Sequence, residues 1–308
     1  MNENGRRVPR HVRLILFGAV ALLAMYMGAS ALIADRVWHP TRKAIHTDPG
    51  KYGLAYETVS FSSDVDNVRL EGWFIETPGT KTVMVLHGSS STRDNYINME
   101  MSRELAARGY DVFLFDFRGH GGSGGELFSL GSWETRDIAG ALRYLKGRGV
   151  EKIGVLAYSM GAAAALLAAP EHPEIEAIVA DSSFASLETV IERQARQANV
   201  LAPLFVPGMA MMSKLIYGID VGGTQPKSAV ARLGERPLFL IHAEGDTLIP
   251  ASEARELEQA GAGNPNLQVW IAPGVAHVSA FAENRVEYVR RTVGFFDRYL
   301  GQTNFSRP

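Results

Sequence analysis

Cysteine is absent from all 308 residues, which excludes a disulfide framework, a thiolate metal site and a cysteine nucleophile together. An excess of either charge is missing too, with 31 Lys and Arg against 33 Asp and Glu, a formal net charge of -2. Surfaces that track phosphates are normally basic, so nothing electrostatic here points to nucleic acid. The chain also lacks internal repeats and low-complexity stretches, and only 21% of it is charged against 46% hydrophobic. That balance excludes extended disorder and predicts a folded chain with a sizeable core.

What is present in abundance, near the start, is an uninterrupted apolar run. Residues 14–33 carry no charge, about the length a helix needs to cross the hydrocarbon layer. Arg6, Arg7, Arg10 and Arg13 precede the run and Asp35 follows it, although Arg36, Arg42 and Lys43 come soon after. The positive-inside bias therefore predicts a cytoplasmic N-terminus and a main domain on the outer side. A signal peptide cut at Ala29-Ser30-Ala31, releasing a secreted protein, is the competing reading. A buried globular helix fits worse, because the run has no polar face. The expected organisation is a basic flank (1–13), a membrane helix (14–33), a linker (34–55), one large domain (56–300) and a short tail (301–308).

Within that domain, short apolar runs alternate with helical patterns. Strands are expected near 57–63, 70–77, 82–86, 111–115, 152–156, 176–180, 237–241 and 267–271. Continuous runs such as Val83-Met84-Val85-Leu86 fit strands covered on both faces, and the alternation predicts a mostly parallel sheet with helices on either side. The last helix places Val286, Val289, Val293, Phe296 and Leu300 at spacings of three and four, which predicts one apolar face. The alternation breaks at residues 187–230, a Leu-, Met- and Val-rich insertion expected to cap the strand ends.

Ala157-Tyr158-Ser159-Met160-Gly161 falls where a buried strand ends and an Ala-rich helix begins. A sharp turn there exposes a serine hydroxyl at a helix N-terminus and demands small residues on both sides, a demand that Gly161 and, less fully, Ala157 meet. An N-cap serine is the bland alternative. A serine nucleophile needs a base oriented by a third group. Loops after the two following strands supply Asp246 and His277, in the order Ser, Asp, His and at the carboxyl ends of strands. Glu244 and Asp181 are rival acids, and His242, at a strand end, reads as a packed residue. The amides of Ser89, after His87-Gly88, and of Met160 are candidate oxyanion donors. Gly119-His120-Gly121-Gly122-Ser123-Gly124 matches a dinucleotide-binding pattern but does not open directly into a helix, and reads instead as a tight turn beside the site.

Taken together, HGSS, FDFRGHGGSGG, AYSMGA, HAEGD and VAH occur in the order and at separations that resemble the α/β-hydrolase superfamily over about residues 56–300. The pattern looks closest to its membrane-anchored esterase, lysophospholipase and serine-aminopeptidase-like branch. That resemblance implies an eight-stranded, mostly parallel sheet, no metal, no organic cofactor and hydrolysis through an acyl-enzyme on Ser159. The expected substrate is an ester, small or lipid-like, with an apolar acyl group. A peptidase or amidase on the same residues, or a non-catalytic binding protein on the same fold, are the alternatives.

Overall fold

The computed structural model describes residues 9–301; Arg6, Arg7 and the rest of 1–8, with the tail from 302 on, lie outside them. Eight strands form one sheet: β1 (Glu57–Ser62), β2 (Arg69–Ile75), β3 (Lys81–Leu86), β4 (Tyr110–Phe115), β5 (Ile153–Tyr158), β6 (Ile175–Asp181), β7 (Leu238–Ala243) and β8 (Leu267–Ala272). Their order is β1-β2-β4-β3-β5-β6-β7-β8. The β1–β2 and β2–β4 pairs are antiparallel, and every pair from β4 to β8 is parallel. This is the α/β-hydrolase fold.

Burial along the strands follows their place in the sheet. Central β4, β5 and β7 are buried at every position, whereas edge strand β1 hides only Val59 and Phe61. Successive side chains point to opposite faces. Met84 and Leu86 thus enter one core layer and Val83 and Val85 the other.

Helices α2 (Tyr96–Ala107), α3 (Glu134–Gly147) and α4 (Met160–Ala168) follow β3, β4 and β5 in turn. Between β6 and β7 lie α5 (Leu187–Ala198), α6 (Val206–Met212) and α7 (Pro226–Val230), and α8 (Ala251–Ala260), α9 (Ala280–Glu283) and α10 (Arg285–Tyr299) complete the domain. Residues of α3 and α4 join the first core layer, and residues of α2 and α10 the second. On α10, Val293, Phe296 and Leu300 are buried as the spacing predicts, but Val286 is 84% exposed. It sits in the first turn, before the helix reaches the sheet, and Tyr288, Thr292 and Phe295 complete the inner face instead.

The apolar run lies inside a 29-residue helix, α1 (Arg10–Trp38), long and apolar enough to cross a membrane. It is longer than residues 14–33 at both ends. Ala34 and Trp38, expected in the linker, are fully buried in a third core cluster with Leu187, Val190, Val206 and Met209 of the insertion. The helix stops before Pro40, which disfavours helical geometry in the residue ahead of it.

Candidate active site

Three strand ends bring the predicted residues together. Ser159 follows β5 with φ 51 and ψ -118, a conformation open to few L-residues, and α4 begins at the next residue. Holding a serine there costs about 1–3 kcal/mol, and the surrounding packing leaves no easy escape. A Cβ on Gly161 would lie 2.5 Å from the His87 carbonyl oxygen, and one on Gly88 would lie 3.0 Å from the Ser159 Cβ. Glycine at both positions is what lets the end of β3 approach the serine. Ala157, where a glycine is more usual, buries its methyl in the core without displacing the turn.

His277 Nε2 lies 2.8 Å from Ser159 Oγ, and its Nδ1 lies 2.7 Å from Asp246 Oδ2. With the carboxylate as acceptor, Nδ1 carries the proton and Nε2 is free to accept the serine hydroxyl's. The other Asp246 oxygen accepts the amides of Leu248 and Ile249, each at 2.9 Å. Burial works against ionising Asp246, but the hydrogen bond and charge of His277, with the Ile249 amide, outweigh it and hold the carboxyl below its ordinary range. His277 is 20% exposed at its side chain and Asp246 is closed off entirely.

The rival acids take other places. Glu244 is exposed and meets the sheet only through its backbone amide. Asp181 is fully buried and accepts from Ser182 Oγ at 2.8 Å and Tyr288 Oη at 2.9 Å; it makes no hydrogen bond to His277. His242 is buried, with Nε2 2.6 Å from the Ile249 carbonyl, and burial lowers its pKa. It is a packed residue.

Ser89 lines the cavity in front of Ser159, and Met160 opens α4, where unpaired amides and the helix dipole favour negative charge. The turn that presents Ser89 is fixed from below. His87 Nδ1 lies 2.7 Å from the Gly88 carbonyl, and its Nε2 accepts the Phe117 amide at 3.0 Å. Burial pushes this imidazole down to about 3, with the neighbouring His120 and Arg93 adding to the effect, so it stays neutral and holds one tautomer.

The Gly119–Gly124 stretch is not part of the cavity wall. Three of its carbonyls converge on a cation: Arg42 donates to the oxygens of His120, Gly121 and Ser123, and to that of the following Gly125. A loop that turns carbonyls toward a cation is built against phosphate, which needs the opposite polarity. It acts one layer back. Gly122 donates to Asp116 at 2.9 Å, and Asp116 accepts both the amide and the guanidinium of Arg93, which clamps the loop leading into α2.

A profile of the family described as serine aminopeptidase, S33, matches residues 77–232. The chain belongs to this S33 family. It is a serine hydrolase of the α/β-hydrolase superfamily. Among solved structures, an esterase of Pyrococcus furiosus, Pf2001, superposes with a TM-score of 0.72 at 29% identity, covering 85% of this chain and 100% of that one. An uncharacterized protein of Escherichia coli O157:H7, YfhR, is 25% identical over 97% of this chain and 98% of its own. The lysophosphatidylserine lipase ABHD12 of Gallus gallus is 26% identical over 60% of this chain and 49% of its own length.

In this S33 family member the cavity has a volume of about 380 Å³, within the usual range for small-molecule sites. Part of its wall comes from residues the sequence did not flag, Ser91, Asn95, Ile97 and Asn98, beside Ser90 of the HGSS run, with Leu248 and Val278 also lining it. The polar run after His87-Gly88, carrying Ser90 in a left-handed conformation at φ 54, was the available signal. Residues of the 187–230 insertion do not line this cavity among the described residues; their buried apolar side chains cluster with α1 and with Ala163, Phe184 and Ile249 of the domain.

Proposed function

We propose that this chain hydrolyses carboxylic esters with a neutral, apolar acyl group, through attack by Ser159. The observation that carries the proposal is the unbroken relay from Ser159 Oγ through His277 to Asp246, with contacts of 2.8 and 2.7 Å. His277 takes the hydroxyl proton as Oγ bonds to the carbonyl carbon, and returns it to the leaving alcohol as the acyl-enzyme forms. Water then gives a proton to His277 as its oxygen bonds to the acyl carbon, and the bond to Ser159 Oγ breaks as the proton passes to Oγ, releasing the acid. Asp246 stabilises the imidazolium, and the amides of Ser89 and Met160 are the donors for the developing oxyanion.

An ester is favoured over a free peptide N-terminus by the cavity wall. Among the described residues lining it there is no carboxylate to receive an ammonium group. Tyr158, Ile97, Leu248 and Val278 supply an apolar surface for the acyl part instead.

The enzyme acts, in this reading, from the outer face of a membrane, anchored by α1. Retention of the helix rather than its removal is supported by Ser30 and Ala34, which are buried against the insertion. Cleavage near Ala31 would strip the first of them away.

Ser159→Ala is expected to lower turnover of p-nitrophenyl esters by about 10⁴-fold or more, with the preference across a series from acetate to laurate reporting the acyl length. A variant that turns over at the parent's rate would remove Ser159 from the reaction.

A further inference from the structure

The insertion between β6 and β7 is tied to α1 along a single line of residues. Tyr26, Ser30, Ala34 and Trp38 follow one another at intervals of four, which stacks them on one helix face. Tyr26 stacks on Phe205 with ring centroids 5.5 Å apart, donates to the Leu204 carbonyl and accepts the Gly208 amide, both at 3.0 Å. A Cβ on Gly208 would lie 2.3 Å from Ser30 Oγ, so α6 and α1 meet almost backbone to backbone. Further along, Trp38 Nε1 donates to Ser213 Oγ at 2.8 Å, and Tyr217 Oη to Asp35 at 2.7 Å.

Those contacts fix the height of the insertion along the apolar run. From Tyr26 to Asp35 the helix rises about 13 Å, and the insertion lies beside all of it. If the insertion stood clear of the bilayer, only residues 14–25 would be left to cross, a rise of about 18 Å against a hydrocarbon layer of about 30 Å. A spanning α1 therefore requires the insertion to share the bilayer with it.

The insertion's outer surface suits that position. Residues 199–217 contain one charge, Lys214, which is paired with Asp220 at 2.8 Å. Leu201, Leu204, Leu215 and Ile216 are all more than half exposed. They continue the exposed apolar surface of α1, and Tyr217 marks the level of the first charge after the run, as interfacial tyrosines do.

We infer that residues 199–217 are embedded in the acyl region of one leaflet beside α1, so that the enzyme holds its membrane by a helix and a wedge. The inference rests on the reading of α1 as a membrane span. It also sets the site near the bilayer. Gln197 contacts the Thr247 carbonyl at 3.4 Å, and the next residue, Leu248, lines the cavity. An acyl chain lying in that leaflet has a short path to Ser159.

Because the chain has no cysteine, single substitutions on the full-length protein report depth directly. Leu16→Cys, Leu204→Cys, Leu215→Cys and Glu151→Cys are each labelled with an environment-sensitive fluorophore and reconstituted in phosphatidylcholine vesicles carrying brominated acyl chains. Retained p-nitrophenyl acetate hydrolysis establishes that each variant is folded. The expected result is loss of fluorescence at Leu204 and Leu215 comparable with that at Leu16, and none at Glu151, at the amino ends of the parallel strands. Quenching at Leu16 without quenching at Leu204 and Leu215 would overturn the wedge and leave the anchor standing. Absence of quenching at Leu16 would remove the anchor itself, and equal quenching at Glu151 would mean that contact with lipid is not confined to this surface.

Discussion

Asp246 and Asp181 are buried carboxyl groups on neighbouring strand ends, and their surroundings shift them in opposite directions. Asp246 faces His277 and two amides, which keep it ionised in spite of burial. Asp181 has only hydroxyl partners, Ser182 and Tyr288, and burial pushes it up to about 6. Its task is structural: Ser182 Oγ, which donates to Asp181, accepts the Val278 amide at 3.3 Å and so steadies the loop that carries His277. Between 3.8 and about 6 the folded chain binds more protons at Asp181 than the unfolded chain. Stability should therefore fall as pH rises through that window, by about 3 kcal/mol in all. Asp181→Asn removes the titration. Its stability relative to the parent should improve between pH 4 and 7.5 in denaturant unfolding, and a pH-independent difference would show that the carboxyl does not titrate there. The two acids also separate in kinetics. Asp246→Asn is expected to lower kcat by about 10⁴-fold, whereas Asp181→Asn should retain most activity at pH 7.5; the reverse order would make Asp181 the partner of the histidine. Sequence order alone left both acids open, because proximity to the base depends on how two loops fold over one rim. Only the hydrogen bonds distinguish them.

At the scale of elements, the sheet was legible because each central strand is a short apolar run between turns, and burial on both faces leaves no other use for such a run. The contact between α1 and the insertion was not legible. Its residues straddle the apolar run and the linker, and two of them, Ser30 and Gly208, are small residues whose value lies in what they leave empty. The insertion read as a cap because apolar residues between two strands of a sheet need a covering role, and nothing in their spacing distinguishes a lid from a mount for another helix. Trp38 is the residue on which that mount turns. It is fully buried, packs edge-on against Phe128 at 6.5 Å and donates to Ser213. Trp38→Ala is expected to cost about 3–5 kcal/mol, and Ser213→Ala about 1–3 kcal/mol by leaving the indole N–H without its partner. Equilibrium unfolding in detergent micelles measures both. An equal loss in the two variants would mean that the indole contributes only its hydrogen bond. Because neither residue lines the cavity, hydrolysis of p-nitrophenyl acetate below the unfolding transition should stay at the parent's level.

For the whole molecule, the proposal that α1 spans a membrane makes the direction of the sheet along that helix the arrangement to test. The strand ends that carry Ser159, Asp246 and His277 share a rim with the insertion that grips α1, so the amino ends of the parallel strands point the other way. Glu151, just ahead of β5, is exposed at those amino ends. If the arginines before the apolar run hold the N-terminus in the cytoplasm, Glu151 faces the outer compartment and position 4 faces the inner one. A membrane-impermeant maleimide should then modify Glu151→Cys in intact spheroplasts, and Asn4→Cys only after permeabilisation. Cleavage of α1 would give a different pattern, with Glu151→Cys still modified but no label recoverable at position 4 in the mature chain under either condition. A domain on the cytoplasmic side would leave Glu151→Cys unmodified until the membrane is opened. The same two variants thus separate an anchored outer enzyme, a released one and an inner one. The first outcome alone is compatible with a wedge that enters the outer leaflet from the side on which the hydrolase folds.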